Sequence, residues 1–71
     1  MKIKLIGFKK IITKKGNNLV MLHCSYLEDG TTGEVVKTFF VDPKVIANVV
    51  LKVGTVYEFS FDMRGFIISI N

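Results

Sequence analysis

The apolar residues of this chain fall into short runs separated by polar, glycine-containing segments. Within several runs they alternate with polar residues, and valine, isoleucine, leucine and phenylalanine predominate, as in half-buried β-strands. A chain of 71 residues has room for one small core. We therefore expect a single all-β domain covering 1–71. The predicted strands are 2–12, 19–27, 35–41, 55–63 and 66–70.

The first strand contains a break in its alternation. Lys2-Ile3-Lys4-Leu5 alternates with a period of two residues, and 9–12 resumes the alternation in another phase after Gly7. A glycine at such a position predicts a β-bulge or a sharp bend within one long strand. Residues 13–18 then predict a turn, because glycine and asparagine tolerate positive φ.

A helix is predicted between the third and fourth strands. Asp42 can cap the free amide groups at a helix start, and Pro43 suits the first helical position. Gly54 is a typical stop. Apolar residues recur at helical spacing between these signals: Ile46, Val49, Val50 and Val53.

The element order β1-β2-β3-α-β4-β5 predicts a five-stranded OB-fold barrel with a long, bent first strand. The last two strands should be joined by a tight hairpin at Arg64-Gly65. An SH3-like small barrel is the alternative. It also has five strands but normally has only a short single-turn helix, placed before its last strand.

The pattern of each strand predicts which side chains enter the core. In the second strand, Val20 and Leu22 belong to the better core face. In the third strand Lys37 should prefer water, so we expect its face to point outward together with Phe39, and Phe40 to point into the core.

The charges of the chain are segregated. Six lysines and no acidic residue occur within the first 27 residues, and all six acidic residues lie beyond them. The formal net charge of +4 therefore combines a strongly basic first part with a slightly acidic remainder. A field of one sign over part of a surface is typical of a protein that binds a polyanion.

The basic residues lie where an OB-fold binds nucleic acids, in its first inter-strand loop, on the faces of strands two and three and in its last hairpin loop. An outward aromatic side chain between cations would stack a base while the cations meet phosphates. The candidate nucleic-acid-binding residues are Lys9, Lys10, Lys14, Lys15, Lys37, Phe39 and Arg64.

Catalysis has little support in the sequence. His23 and Cys24 are the only histidine and the only cysteine. As neighbours on a strand they point to opposite faces, where they cannot form a nucleophile–base pair. We expect no enzyme activity, no cofactor and no metal site. The single cysteine and the lack of a long apolar stretch favour a cytoplasmic protein with no membrane partner.

Three short motifs resemble the helix-destabilising single-stranded DNA-binding proteins of filamentous phages. Lys14-Lys15-Gly16-Asn17-Asn18-Leu19 is similar to the basic DNA-binding wing of that family, and Thr38-Phe39-Phe40-Val41 to its following strand. Val53-Gly54-Thr55-Val56-Tyr57-Glu58-Phe59 resembles the Gly-x-x-Tyr entry to its later hairpin. The resemblance implies cooperative binding of single strands by a dimer, with Lys14 and Lys15 contacting the backbone. The wing is shorter here, Leu19 replaces an aromatic residue, and the predicted tight hairpin departs from the family's dimerisation element.

These patterns together predict a sequence-tolerant single-stranded DNA-binding protein that forms a homodimer and acts in replication or recombination of a phage or mobile element. One alternative is a protein-interaction module, such as an inhibitor or assembly subunit, whose lysines meet an acidic partner. An RNA-binding OB domain is another. The acidic turn that contains Glu28, Asp29 and Glu34 is open to contact with another protein.

Overall fold

The computed structural model describes all 71 residues of the chain. Its strands are β1 (Lys2–Ile12), β2 (Asn18–Tyr26), β3 (Val35–Val41), β4 (Val56–Phe61) and β5 (Ile67–Ile70), with one 3₁₀ turn at Pro43–Ile46. The strands form a five-stranded sheet in the order β3-β2-β1-β4-β5, and all neighbouring strands are antiparallel. The predicted all-β class is confirmed. The chain contains no helix long and apolar enough to cross a membrane.

The predicted irregularity in β1 is confirmed. Leu5 lies opposite Cys24 of β2, but the next paired residue, Gly7, lies opposite His23, so Ile6 is an extra residue. The bulge divides β1 into two halves. Residues 2–4 pair with β4, and Lys4 and Leu5 pair with β2, whereas 8–12 pair with β2 alone. The second half of β1 therefore projects with β2 as a hairpin.

The sheet is strongly curled. Three spacings of about 4.8 Å would place β3 and β4 about 14 Å apart in a flat sheet. However, the ring centroid of Phe39 in β3 lies 5.8 Å from that of Phe59 and 5.7 Å from that of Phe61, both in β4. This curvature is compatible with a small barrel, although no hydrogen-bonded pair joins β3 to β5. The 3₁₀ turn contacts β5 and β2. The buried apolar core consists of Ile3, Leu5, Val20, Leu22, Cys24, Val41, Tyr57, Phe59, Ile67 and Ile70.

The predicted helix is much shorter than expected. The Asp42 carboxylate accepts a hydrogen bond from the Lys44 amide at 2.9 Å, which confirms the cap, but only Pro43–Ile46 is helical. Beyond Ile46, the backbone forms hydrogen bonds with a side chain instead. The Tyr57 hydroxyl donates to the Val50 carbonyl and accepts from the Lys52 amide, both at 2.9 Å. These bonds occupy backbone groups that a continued helix would need.

The predicted two-residue hairpin at Arg64-Gly65 is also wrong. β4 ends at Phe61, and the longer turn is closed by Asp62, whose backbone N–H donates to the Phe66 carbonyl at 2.9 Å. One Asp62 carboxylate oxygen accepts from the backbone N–H groups of Arg64 (2.9 Å) and Phe66 (3.0 Å). Gly65 has a φ of 87°, which suits a glycine in a hairpin longer than two residues.

Candidate nucleic-acid interface

The end of the β1–β2 hairpin presents two of the predicted cations. The Thr13 N–H donates to the Asn17 carbonyl at 2.8 Å, and the Asn17 N–H donates to Thr13 Oγ1 at 3.1 Å. Gly16 has a φ of 84°, as the predicted turn requires. Lys14 and Lys15 are exposed in this turn. No lysine side chain of the chain is in an ion pair, so both ammonium groups are available to an anion.

Lys9 and Lys10 lie on opposite faces of the hairpin. Lys9 is paired with Met21 and Lys10 with Val20, and cross-strand partners share a face. Val20 belongs to the core, so Lys10 lies on the core side of the sheet and Lys9 on the outer side. The structure therefore separates two cations that were predicted to act together.

The orientation predicted for the two aromatic residues of β3 is wrong. Leu22 is buried and paired with Phe39, so Phe39 points inward and packs against the core. The Lys37 ammonium lies 5.2 Å from the centroid of the same ring, which shields Phe39 further. Phe40 points outward and is 52 % exposed. Lys37 itself is exposed, although its pairing with the buried Cys24 places it on the core side of the edge strand β3.

Phe40 lies in one row with Met21 and Lys9. Met21 is paired with Phe40 on one side and with Lys9 on the other. Three neighbouring strands therefore place these side chains together on the side of the sheet that faces away from the core. Two strand spacings separate Lys9 from Phe40 by about 10 Å. This row combines an exposed ring with a cation, and its Lys9 end leads along β1 to the basic turn.

The next row of the outer face is small and polar. It contains Gly7, His23 and Thr38, and His23 Nδ1 lies 2.9 Å from Thr38 Oγ1. Gly7 has no side chain, so the face is shallow beside the imidazole. We name the surface formed by these two rows the outer face. Beyond it the first strand contributes Lys4, which is paired with Ser25.

Arg64 lies in the β4–β5 turn and already has partners. Its guanidinium donates to Asp62 Oδ2 at 3.1 Å and lies 5.0 Å from the Phe66 ring centroid. Hydrogen bonds from the Phe66 amide, the Arg64 side chain and the Arg64 amide hold the pKa of Asp62 below its ordinary value. The Arg64 side chain is 77 % exposed, so a phosphate can reach it. The phosphate must, however, compete with the Asp62 carboxylate for the guanidinium.

The acidic turn lies at the other end of β2 from the basic turn. Glu28 accepts a hydrogen bond from the Thr31 hydroxyl at 3.3 Å, and Glu34 accepts one from the Ser25 hydroxyl at 3.3 Å. Opposite ends of one strand thus have charges of opposite sign. A polyanion approaching the chain is attracted to the basic turn and repelled from the acidic one.

The remaining reactive side chains are separated. Cys24 is fully buried, and burial raises its pKa to about 11, whereas His23 is on the outer face bonded to Thr38. No group of three or more histidine, cysteine, aspartate or glutamate side chains is placed to hold a metal ion.

No protein-family model matches this chain, and no curated protein or solved structure is significantly similar to it.

Phe40 is an exposed aromatic side chain that the strand pattern was expected to bury. The sequence does contain a signal for the outward orientation of Phe40. Val41 follows Phe40 and is a good core residue for the end of β3. If Val41 points inward, the period of two residues places Phe39 inward and Phe40 outward. The preference of Lys37 for water therefore does not decide which face of β3 points inward.

Proposed function

We propose that this chain is a non-catalytic protein that binds single-stranded nucleic acid, DNA in preference to RNA, with little sequence preference. The single observation that carries the proposal is the row of Phe40, Met21 and Lys9 on the outer face beside the basic turn. A base can stack on the exposed ring while phosphates follow the cations of β1.

The proposed fold is an OB barrel. Its support is the bent β1, which pairs with both β2 and β4, and the curvature that brings Phe39 of β3 to Phe61 of β4. In such a barrel the faces of strands two and three and the first inter-strand loop form the binding groove. The outer face and the Lys14–Lys15 turn occupy these positions.

The proposed contacts differ from the predicted set. Lys9, Lys14 and Lys15 remain backbone contacts, and Phe40 replaces Phe39 as the stacking residue. Lys37 and Arg64 remain predicted contacts outside the outer face: Lys37 lies on the core side of β3, and Arg64 lies in the β4–β5 turn in competition with Asp62. With about four phosphates neutralised, the logarithm of affinity should fall with the logarithm of salt concentration at a slope of about −3.

Fluorescence anisotropy with labelled oligo-dT, oligo-rU and duplex DNA over a salt series tests the proposal. We expect oligo-dT to bind more tightly than the duplex, because stacking on Phe40 requires unpaired bases. Replacing Lys14 and Lys15 with alanine should reduce the salt slope by about 1.4, since each single-strand contact contributes about 0.7. Absence of binding to every probe at about 50 mM salt would refute the function.

Two further parts of the prediction lie outside this experiment. The homodimer stays a prediction, and sedimentation velocity with and without oligo-dT tests it. A role in replication or recombination of a phage or mobile element also stays a prediction.

A further inference from the structure

The core side of the β1–β2 hairpin carries an open apolar groove that the proposed function does not use. One recess of about 340 Å³ lies between the hairpin and the segment after the 3₁₀ turn. A second recess of about 370 Å³ continues toward the hairpin end. The two recesses share Lys10, Val20 and Pro43, so they form one groove. Their apolar walls include Phe8, Ile12, Val49 and Leu51.

The backbone beside this groove has a free edge. The last hydrogen bonds between β1 and the chain before β4 are those of Leu5, with Thr55 at 3.0 Å and with Gly54 at 2.8 Å. Residues 8–12 pair with β2 on one side and have no backbone or side-chain partner on the other. Unpaired N–H and C=O groups on a strand edge can bind an added strand.

The charge of the groove has one sign. Lys10 is the only charged residue that lines the two recesses, and no acidic side chain does. Asp42 precedes Pro43, which lines both recesses, but Asp42 itself lines a different recess, and its carboxylate caps the 3₁₀ turn. An apolar groove with a lone cation suits a ligand that has both apolar side chains and carboxylates.

We propose that this edge and groove bind an extended segment of a partner protein in which apolar residues and one acidic residue occupy alternate positions, so that their side chains share one face. The segment pairs its backbone with residues 8–12 of β1. One set of alternate side chains then enters the apolar groove, since successive residues of a strand point to opposite faces. A carboxylate at the mouth of the groove meets Lys10.

Other anionic occupants fit this surface less well. A nucleic-acid strand needs several cations for its phosphates, whereas the groove offers Lys10 alone. The acidic turn of a second copy is not extended, because Gly30 and Gly33 have φ values of 86° and 87° and the Thr31 N–H donates to the Glu28 carbonyl. A bent segment cannot pair along the whole edge.

The test uses a fluorescein-labelled peptide of about seven residues, with leucine at alternate positions except for one glutamate, and serine at the intervening positions. Binding to the full chain is measured by anisotropy at about 0.15 M salt, where surface charges farther than about 8 Å are largely screened. We expect saturable binding. Lys10→Glu should weaken it roughly tenfold or more, because it places like charges together.

Lys9→Glu is the matched control. It makes the same change of charge one residue away, but on the outer face. It should leave peptide binding within about twofold and weaken oligo-dT binding, whereas Lys10→Glu should do the reverse. Far-UV circular dichroism of both variants checks that the exposed substitutions leave the fold intact. Because the two ligands are measured separately, loss of one activity leaves the other open to test.

Two N-methylated versions of the peptide test strand pairing. Each is methylated at one of the two sets of alternate backbone nitrogens, and only one set can donate to β1. One version should therefore lose binding and the other retain it. Equal binding of both versions, or equal effects of Lys9→Glu and Lys10→Glu, would overturn the proposal. Self-association of the chain abolished by Lys10→Glu would also overturn it, by making a second copy the occupant.

Discussion

The two halves of β1 combine lysines and apolar residues in similar ways, but their surroundings differ. In the first half, Ile3 pairs with Tyr57 of β4 and Leu5 with Cys24 of β2, and both side chains are fully buried. In the second half, which pairs with β2 alone, Phe8 and Ile12 are exposed by 41 % and 73 %. The bulge at Gly7 separates the halves. Strand alternation therefore predicts a face for each residue, while burial depends on what packs against that face.

The two halves of β1 therefore differ in what they contribute to the protein. The first half stabilises the fold through buried apolar area. In the second half, Lys9 on one face is proposed to meet a single strand, and Lys10 on the other is proposed to meet a carboxylate of an extended segment. A small domain can carry exposed apolar residues on its hairpin only if its stability comes from elsewhere, and here the source is the half that β4 covers.

The largest expected effect is on the free energy of unfolding. Leu5→Ala should lower it by about 2–5 kcal/mol, because it leaves a cavity in the core. Ile12→Ala should change it by about 0.5 kcal/mol or less, because the side chain is exposed. Urea denaturation followed by circular dichroism measures both. Similar losses for the two variants would show that the halves of β1 are equally buried.

The second effect distinguishes Phe39 from Phe40. Phe39→Ala should lower the free energy of unfolding by about 2 kcal/mol, less than for a fully buried phenylalanine, because its ring is half-buried against Phe59. Phe40→Ala should leave stability nearly unchanged and weaken oligo-dT binding by about 1–3 kcal/mol. Urea denaturation and anisotropy, applied to both variants, separate the two roles. The reverse pattern would restore Phe39 as the stacking residue.

The third effect compares two glycines that lie near the bulge. Gly54 has a φ of 89° and donates to the Leu5 carbonyl, so Gly54→Ala should cost about 1–2 kcal/mol of stability. Gly7 has no positive φ, and an added Cβ would lie 3.7 Å from His23 Cδ2, an ordinary contact. Gly7→Ala should therefore cost less than about 1 kcal/mol. A larger loss for Gly7→Ala in urea denaturation would mean that the bulge itself requires glycine.

The smallest effect concerns Cys24, which is paired with Leu5 in the first half of β1. Its pKa rises from 9.0 to about 11 on burial, so the folded state disfavours the thiolate. The resulting contribution to stability is present below pH 9 and is lost as the pH rises toward 11. The native thiol should react slowly with iodoacetamide at pH 8, and Leu5→Ala should accelerate the reaction. A thiol that reacts as fast as a free cysteine would place Cys24 outside the core.

Part of this structure could be predicted from the sequence. Alternation and turn residues predicted the strands, Gly7 predicted the bulge, and Asp42 predicted the cap, because each of these signals is local. The length of the helix could not be predicted, since the Tyr57 hydroxyl bonds to the backbone of Val50 and Lys52 only after β4 has folded against the core.

The candidate site was predicted less well than the fold. Both faces of β3 contain apolar residues, so its pattern alone does not decide which face is inward. Pairing of Val41 with Val20 decides it. The separation of Lys9 from Lys10, by contrast, was available from the period of two residues. The apolar groove required knowledge of where β4 leaves β1, which no local pattern contains.

The most direct test of the proposed interface is a titration of the ¹⁵N-labelled chain with oligo-dT of about ten nucleotides, followed by NMR chemical shifts. We predict that the largest changes occur at Lys9, Met21 and Phe40, while Val49 and Leu51 in the groove stay unchanged. Changes confined to the groove, or none when oligo-dT is in large excess, would contradict the assignment of the outer face as a single-strand binding surface.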